Sequence, residues 1–237
     1  MDGLVFPTVP CVHQCGVCGV RSLSLCAALD PGELRAFERL AHQLHLAPKE
    51  TLFGQDEPVD SVFNLDEGVV RLYKLLPDGR RQIVGFALPG DFLGLVPGER
   101  YSFSADAIGP VKVCRFAKSA FVGFVESRPR ILRRINEFTT RELGLAQDQM
   151  LLLGRRSAEE KVAAFLVGWR ERTERHGLNS KTLPLPMSRQ DIADFLGLTI
   201  ETVSRTFTKL ERSKMIVIVP GGIRLLDSKR VEAMAAA

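Results

Sequence analysis

The sequence lacks any apolar run approaching the ~18 residues that a membrane-crossing helix needs. Its first ten residues, MDGLVFPTVP, have no basic region ahead of a hydrophobic core, which speaks against a secretory signal. The expected home is the cytoplasm, where thiols stay reduced. Histidine is sparse: the four present are scattered, and no nucleophile motif accompanies them, so no enzyme is expected. There are no internal repeats, and no low-complexity tract beyond the terminal AMAAA. Cysteines number only five, but four crowd into CVHQCGVCGVRSLSLC, Cys11 to Cys26, while Cys114 stands alone in VKVCRFA. In a reducing compartment that crowding reads as metal binding or redox chemistry, not as a disulfide framework.

What is present suffices for one large domain or two modest ones: 237 residues, 45% of them hydrophobic. The net charge of +4 is unevenly placed. Residues 154–237 carry 15 Lys and Arg against 10 Asp and Glu, whereas residues 1–153 carry 17 against 18. A basic C-terminal third on a near-neutral body suggests a polyanion-binding module there.

After the cysteine-rich lead, Asp30-Pro31-Gly32-Glu33 reads as a helix start, with Asp30 capping, Pro31 in the first turn and Glu33 completing a capping box. Leu34, Phe37, Leu40, Ala41 and Leu44 follow at helical spacing. From about 48 to 125, short apolar runs (SVFNL, GVVRLYKLL, RQIVGFAL, VKVCRFA) alternate with turn signals such as LPDGR and LPGD, which predicts an antiparallel barrel or roll. From Pro129 the period is helical again. Leu132, Asn136, Thr139, Leu143, Ala146, Met150 and Leu153 step by three and four along one face, a seam suited to pairing with a twin. Residues 158–175 form a further amphipathic helix with Val162, Phe165, Leu166 and Trp169 inward, ended by a loop with Gly177, Asn179 and Pro184.

MSRQDIADFLGLTIETVSRTFTKLERSKMI is the most informative segment. Ser188 caps a short helix and Asp191 reciprocates. Ile192, Ala193 and Leu196 face inward, Gly197 allows a tight turn, and Thr199 caps a second helix with Ile200, Val203, Phe207 and Leu210 inside. Two short helices joined through a glycine turn make a helix-turn-helix, whose second helix lies in the major groove of DNA. Its outer face offers Glu201, Thr202, Ser204, Arg205, Thr208 and Lys209. Arginine pairs with O6 and N7 of guanine, and glutamate accepts from the cytosine amine. Thr199, Lys209 and Arg212 are assigned to phosphates, which position without specifying. IVIVPGGIRLL then predicts a hairpin turning at Pro220-Gly221-Gly222, a wing beside the DNA backbone.

The order of thiol lead, β-roll, long helix and winged helix-turn-helix resembles the CRP/FNR transcription regulators over nearly the whole chain, and LGLTIETVSRTFTKLE is similar to the recognition region of the FNR branch. The resemblance implies an α+β fold: a lead over 1–28, an antiparallel β-roll of the cyclic-nucleotide-binding kind over 29–128, a dimerisation helix over 129–156, and a winged helix-turn-helix over 157–237. It assigns base reading on TTGAT-type half-sites to Glu201, Ser204 and Arg205. It also implies a [4Fe–4S] cluster held by Cys15, Cys18, Cys26 and Cys114, with Cys11 spare. The gap of seven residues before Cys26, against five in the best-known pattern, makes Cys11 the alternative ligand. A cubane needs four thiolates. Four thiolates also make a structural zinc site, and spacing does not separate the two, so a same-fold regulator with zinc or redox-active thiols stays open. His13, inside the cluster, reads as a solvent-exposed loop residue.

Further expectations follow from the resemblance. Nucleotide-binding members need a Glu and an Arg where this chain has Leu95 and Phe103, before Ser104. A cyclic phosphate buried there without a cation is heavily disfavoured, so no cyclic nucleotide is expected, although Arg100 lies nearby. Oxygen would act on the cluster and loosen a homodimer whose seam is Leu132, Leu143, Ala146, Met150 and Leu153, releasing a palindromic double-stranded DNA operator. RNA polymerase is the remaining partner, with Arg80 and Arg81 of LPDGRRQ as its contact, although a more acidic loop is the family's habit.

Overall fold

In the computed structural model, residues 9–10, 15–95, 98–176 and 180–236 are described. Two compact units emerge. The first comprises Met1–Lys74 and Val84–Arg141, the second Leu75–Ile83 and Glu142–Ala237.

The first unit is an antiparallel two-sheet roll. One sheet has the order β1 (Val9–Pro10), β2 (Ala41–Leu46), β9 (Val111–Ala117), β4 (Ser61–Glu67), β7 (Phe92–Leu93). The other has the order β3 (Thr51–Phe53), β8 (Ser104–Ala107), β5 (Val70–Leu75), β6 (Arg81–Ala87). Strand alternation gives the first sheet two working faces. Leu44, Leu46, Phe63, Leu65, Val111 and Val113 point inward and meet Phe53, Val70, Ala105 and Ala107 of the second sheet. The opposite face carries Ala41, Val62, Cys114 and Phe116, and is covered by the lead and three helices. These are α1 (Pro31–Glu38), α2 (Lys118–Glu126) and the start of α3 (Pro129–Arg155). Phe37 of α1 stacks on Phe116 at 4.3 Å between centroids, while Ile131 and Phe138 of α3 close the same cluster.

The capping box of α1 is formed: the Asp30 carboxylate accepts from the Gly32 and Glu33 amides at 2.8 Å, and Glu33 accepts from the Asp30 N–H at 3.1 Å. The helical spacing over Leu40, Ala41 and Leu44 misleads, because α1 stops at Glu38 and AHQLHL enters β2. Six register pairs with β9 override the local period. Ala41 and Leu44, which would share a helix face, lie on opposite faces of the strand.

The second unit is a winged helix-turn-helix. It contains α4 (Ala158–Arg175), β10 (Leu183–Pro184), α5 (Arg189–Leu196), α6 (Ile200–Arg212), β11 (Ile216–Val219), β12 (Gly222–Leu225) and α7 (Ser228–Ala236), with sheet order β10-β12-β11. The wing turns on Pro220 and Gly221 alone. Gly222 is already paired with Val219, and a side chain there would run into the Leu183 carbonyl as β10 approaches.

Candidate functional site

The lead is held by local turns and buried side chains. Ser24 is wholly buried; its hydroxyl donates to the Arg21 carbonyl at 3.2 Å and accepts from the Cys26 N–H at 3.2 Å, opening the short turn Leu25–Ala28. Leu25 and Leu29 sink into the outer cluster of the roll. Gly90 has φ +95°, and a Cβ on it would come within 2.8 Å of the Leu23 Cβ. Only glycine therefore lets the lead lie this close.

That packing brings Cys15, Cys18 and Cys26 against the sheet face that bears Cys114. All four line one small cavity, together with Arg21, Phe37, Glu38, Ala41, Asn64 and Phe116. None is in a disulfide. The Cys15 N–H donates to Glu38 Oε1 at 3.0 Å, and the Cys18 thiol lies 3.8 Å from Asp66 Oδ1. Burial pushes the Cys26 thiol up to about 11 and raises Cys18 as well, with the Asp66 carboxylate adding to the latter. Among the described residues, no three His, Cys, Asp or Glu side chains gather as ligands of a single metal ion. Four thiols around one cavity suit a group whose ligands attach at separate points, and Asn64, whose buried Oδ1 has no hydrogen-bond partner among the described residues, lines the same cavity. The residues present thus fit an iron–sulfur group. Cys11 and His13 lie outside the described residues.

Leu95 packs on the outer apolar cluster and Phe103 on the inner one. The Ser104 hydroxyl accepts from the Gln55 N–H at 2.9 Å.

In the second unit, Ser188 Oγ accepts from the Asp191 N–H at 3.0 Å, and the Asp191 carboxylate accepts from Ser188 Oγ at 2.7 Å. Gly197, at φ +61°, ends α5 in the left-handed region, and Thr199 Oγ1 accepts from the Thr202 N–H at 3.2 Å to start α6. Lys161 of α4, itself buried, donates to the Leu196 carbonyl at the end of α5. Val203, Thr206, Phe207 and Leu210 form the inner face of α6. Ile200 does not belong to it: it is 37% exposed at the first turn, and Thr206 is buried instead, its hydroxyl donating to the Thr202 carbonyl. Glu201, Ser204, Arg205 and Thr208 are exposed together on the outer face. The Glu201 carboxyl is held below its usual range, first by a backbone N–H, then by Thr199 and the Arg205 charge. Lys209 forms an ion pair with Glu159, and Arg212 is exposed.

The α3 stripe divides. Leu132, Asn136, Thr139, Leu143, Ala146 and Met150 are exposed, whereas Leu153 is half-buried beside Gly197. Leu151, which the seam pattern passes over, is exposed as well. The two arginines of LPDGRRQ also part company. Arg80 is exposed and bound to Asp78, but Arg81 reaches Asp191 at 2.8 Å and Asp194 at 2.7 Å, so it is not a free member of a basic surface pair. Gln82 joins it, donating to the Asp194 carbonyl. Nothing in the local sequence signals this clamp.

Comparison with known proteins places these features among regulators. The family described as "Bacterial regulatory proteins, crp family" matches residues 185–216, and the "Cyclic nucleotide-binding domain" family matches residues 43–128. The chain is 65% identical to the transcriptional activatory protein AadR of Rhodopseudomonas palustris, over the full length of both. It is 63% identical to the nitrogen fixation regulation protein FixK of Bradyrhizobium diazoefficiens, over 95% of each. Among solved structures, FixK2 from Bradyrhizobium japonicum is similar with a TM-score of 0.78 and 38% identity, covering 83% of this chain and 98% of that one.

Proposed function

Because the chain belongs to the CRP/FNR family of DNA-binding transcription regulators, we propose that it is an oxygen-responsive member whose thiol-bound iron–sulfur group controls its grip on DNA. The observation that carries this reading is the meeting of Cys15, Cys18 and Cys26 of the lead with Cys114 of β9 around one cavity. Bound there, a [4Fe–4S] group would supply an oxygen-sensitive link between the two parts of the chain. The residues do the rest. Ser24, Leu25 and Gly90 bring the lead to the sheet, and Phe37 and Phe116 wall the cavity. Phe116 also touches the cluster that receives Ile131 and Phe138, so the thiol site and the start of α3 share one packed core.

The exposed stripe of α3 supports a homodimer, and two copies of α6 then meet a palindrome one DNA turn apart. Glu201, Ser204 and Arg205 read TTGAT-type half-sites, while Thr199 and Arg212 hold phosphate. Lys209 does so once its pair with Glu159 opens. Contact with RNA polymerase through the β5–β6 hairpin falls to Arg80.

The test is isolation under nitrogen, assay of iron and acid-labile sulfide, then titration with air while binding to a TTGAT palindrome is followed in parallel. Stoichiometric iron and sulfide, with binding lost as the visible absorption bleaches, is the expected result. A colourless zinc-containing protein, or equal binding after full aeration, would overturn the reading.

A further inference from the structure

Cys114 stands between two carboxamides. Antiparallel register places Gln43 of β2 and Asn64 of β4 directly across from it, one on each side, so all three share a sheet face. Asn64 is out of character with its surroundings. It sits in SVFNL, is 3% exposed, and its Oδ1 has no hydrogen-bond partner among the described residues. Gln43 Nε2 is buried and unpartnered in the same way. Asn64 also lines the cavity shared by the four cysteines. Buried amides are nearly always paired, and an orphan calls for a partner that the protein alone does not supply.

The electron-rich sulfur of a thiolate or sulfide is such a partner for an amide N–H, which Gln43 Nε2 offers as it stands and Asn64 offers when its carboxamide is turned. A carboxamide has an acceptor end and a donor end, and half a turn about its last torsion exchanges them. We propose that Asn64, with Gln43 on the opposite flank, donates N–H···S hydrogen bonds to the sulfur atoms gathered at Cys114, and so slows oxidation of the group held there. This rests on the iron–sulfur reading above. Hydrogen bonds to the sulfurs set how readily such a group gives up electrons, since each donor withdraws charge from the core. An amide does this without adding a charge of its own. The nearby carboxylate, Asp66, is an acceptor when ionised and is already engaged by Lys112 at 3.0 Å.

Asn64→Leu keeps the branched skeleton and its number of heavy atoms and removes the donor, and Asn64→Thr keeps a hydroxyl donor on a β-branched side chain suited to a strand. Each is compared with the parent protein, isolated under nitrogen, for iron and sulfide content, for the shift of the Fe–S vibrations in deuterated water, and for the rate of bleaching in air. Expected for Asn64→Leu is near-parental iron and sulfide, a smaller deuterium shift, and bleaching about two- to tenfold faster, the factor one net hydrogen bond corresponds to; Asn64→Thr falls between. If the Leu variant does not fold, the Thr variant and the parent's own deuterium shift decide. Loaded protein with no deuterium shift, or with Asn64 variants that bleach at the parental rate, overturns this proposal alone. A parent protein without iron and sulfide overturns the iron–sulfur reading and this proposal with it.

Discussion

Replacing Arg205 with alanine is expected to erase discrimination at the guanine of each half-site while leaving the fold and the general grip intact. The residue stands exposed on the outer face of α6, one turn beyond Glu201, while the opposite face buries Val203, Phe207 and Leu210. Nothing packs against it that the fold requires, so stability should stay within about 0.5 kcal/mol of the parent. A bidentate arginine on guanine contributes about 1–3 kcal/mol of discrimination. Two recognition helices on a palindrome double this, so specific affinity falls by about thirtyfold at the least. Lys209→Ala is the control. Its loss weakens all duplexes alike and lowers the salt slope by about one per subunit, provided the side chain leaves Glu159 to reach a phosphate.

Fluorescence anisotropy measures both on three duplexes: the TTGAT palindrome, the same palindrome with its guanines exchanged, and a scrambled sequence, each over a series of salt concentrations. For Arg205→Ala the first two duplexes should become equivalent, the scrambled one should bind as before, and the salt slope should hold. A uniform loss on all three, with a shallower slope, would refute base reading by Arg205. It would leave that residue a phosphate contact, or merely the surface partner of Glu201, worth a few tenths of a kcal/mol.

Other outcomes follow from the same structure. Cys114→Ser should abolish stoichiometric iron and sulfide, whereas Cys11→Ser should retain both; metal analysis of anaerobic preparations settles it, and the reverse result would move the ligand set. Gly90→Val forces a branched side chain into φ +95° against Leu23, which should cost about 1–2 kcal/mol and detach the lead. Unchanged melting together with full iron retention would show that the lead does not depend on that approach. The α3 stripe carries no charge at Ala146, so the cluster-free protein should sediment as a dimer at micromolar concentration, and Leu143→Glu should sediment as a monomer. A monomeric parent under those conditions would refute a persistent seam.

Much of the fold was legible because it is written in local chemistry. The caps Asp30, Ser188 and Thr199 precede their helices and accept the amides that a cap must. Gly197 occupies a left-handed position, and the alternating runs between turn signals became the two sheets of the roll. What local pattern could not decide was the competition between periods. AHQLHL fits a helix by spacing and a strand by its pairing with β9, and pairing won. Ile200 has the right spacing for the inner face of α6, but at the first turn the helix has not yet entered the core, and Thr206 fills the buried position by bonding its hydroxyl back to the Thr202 carbonyl.

The candidate site divides along the same line. The four thiols could be named from sequence, since clustered cysteines are conspicuous and strand alternation in VKVCRFA puts Cys114 on the face opposite Val113. Asn64 could not be named, because a single polar residue in SVFNL signals nothing until cross-strand register sets it beside Cys114. The pairing of Arg81 is hidden from the sequence for the equivalent reason. As part of LPDGRRQ it is one of two adjacent cations in a turn, but in the folded chain it spans Asp191, a capping residue, and Asp194. Sequence specifies donors and acceptors, whereas function here depends on which of them the strand register leaves facing one another. The residues most informative about the thiol site are therefore Asn64 and Gln43, polar ones set across from Cys114 that each keep a buried atom without a partner among the described residues.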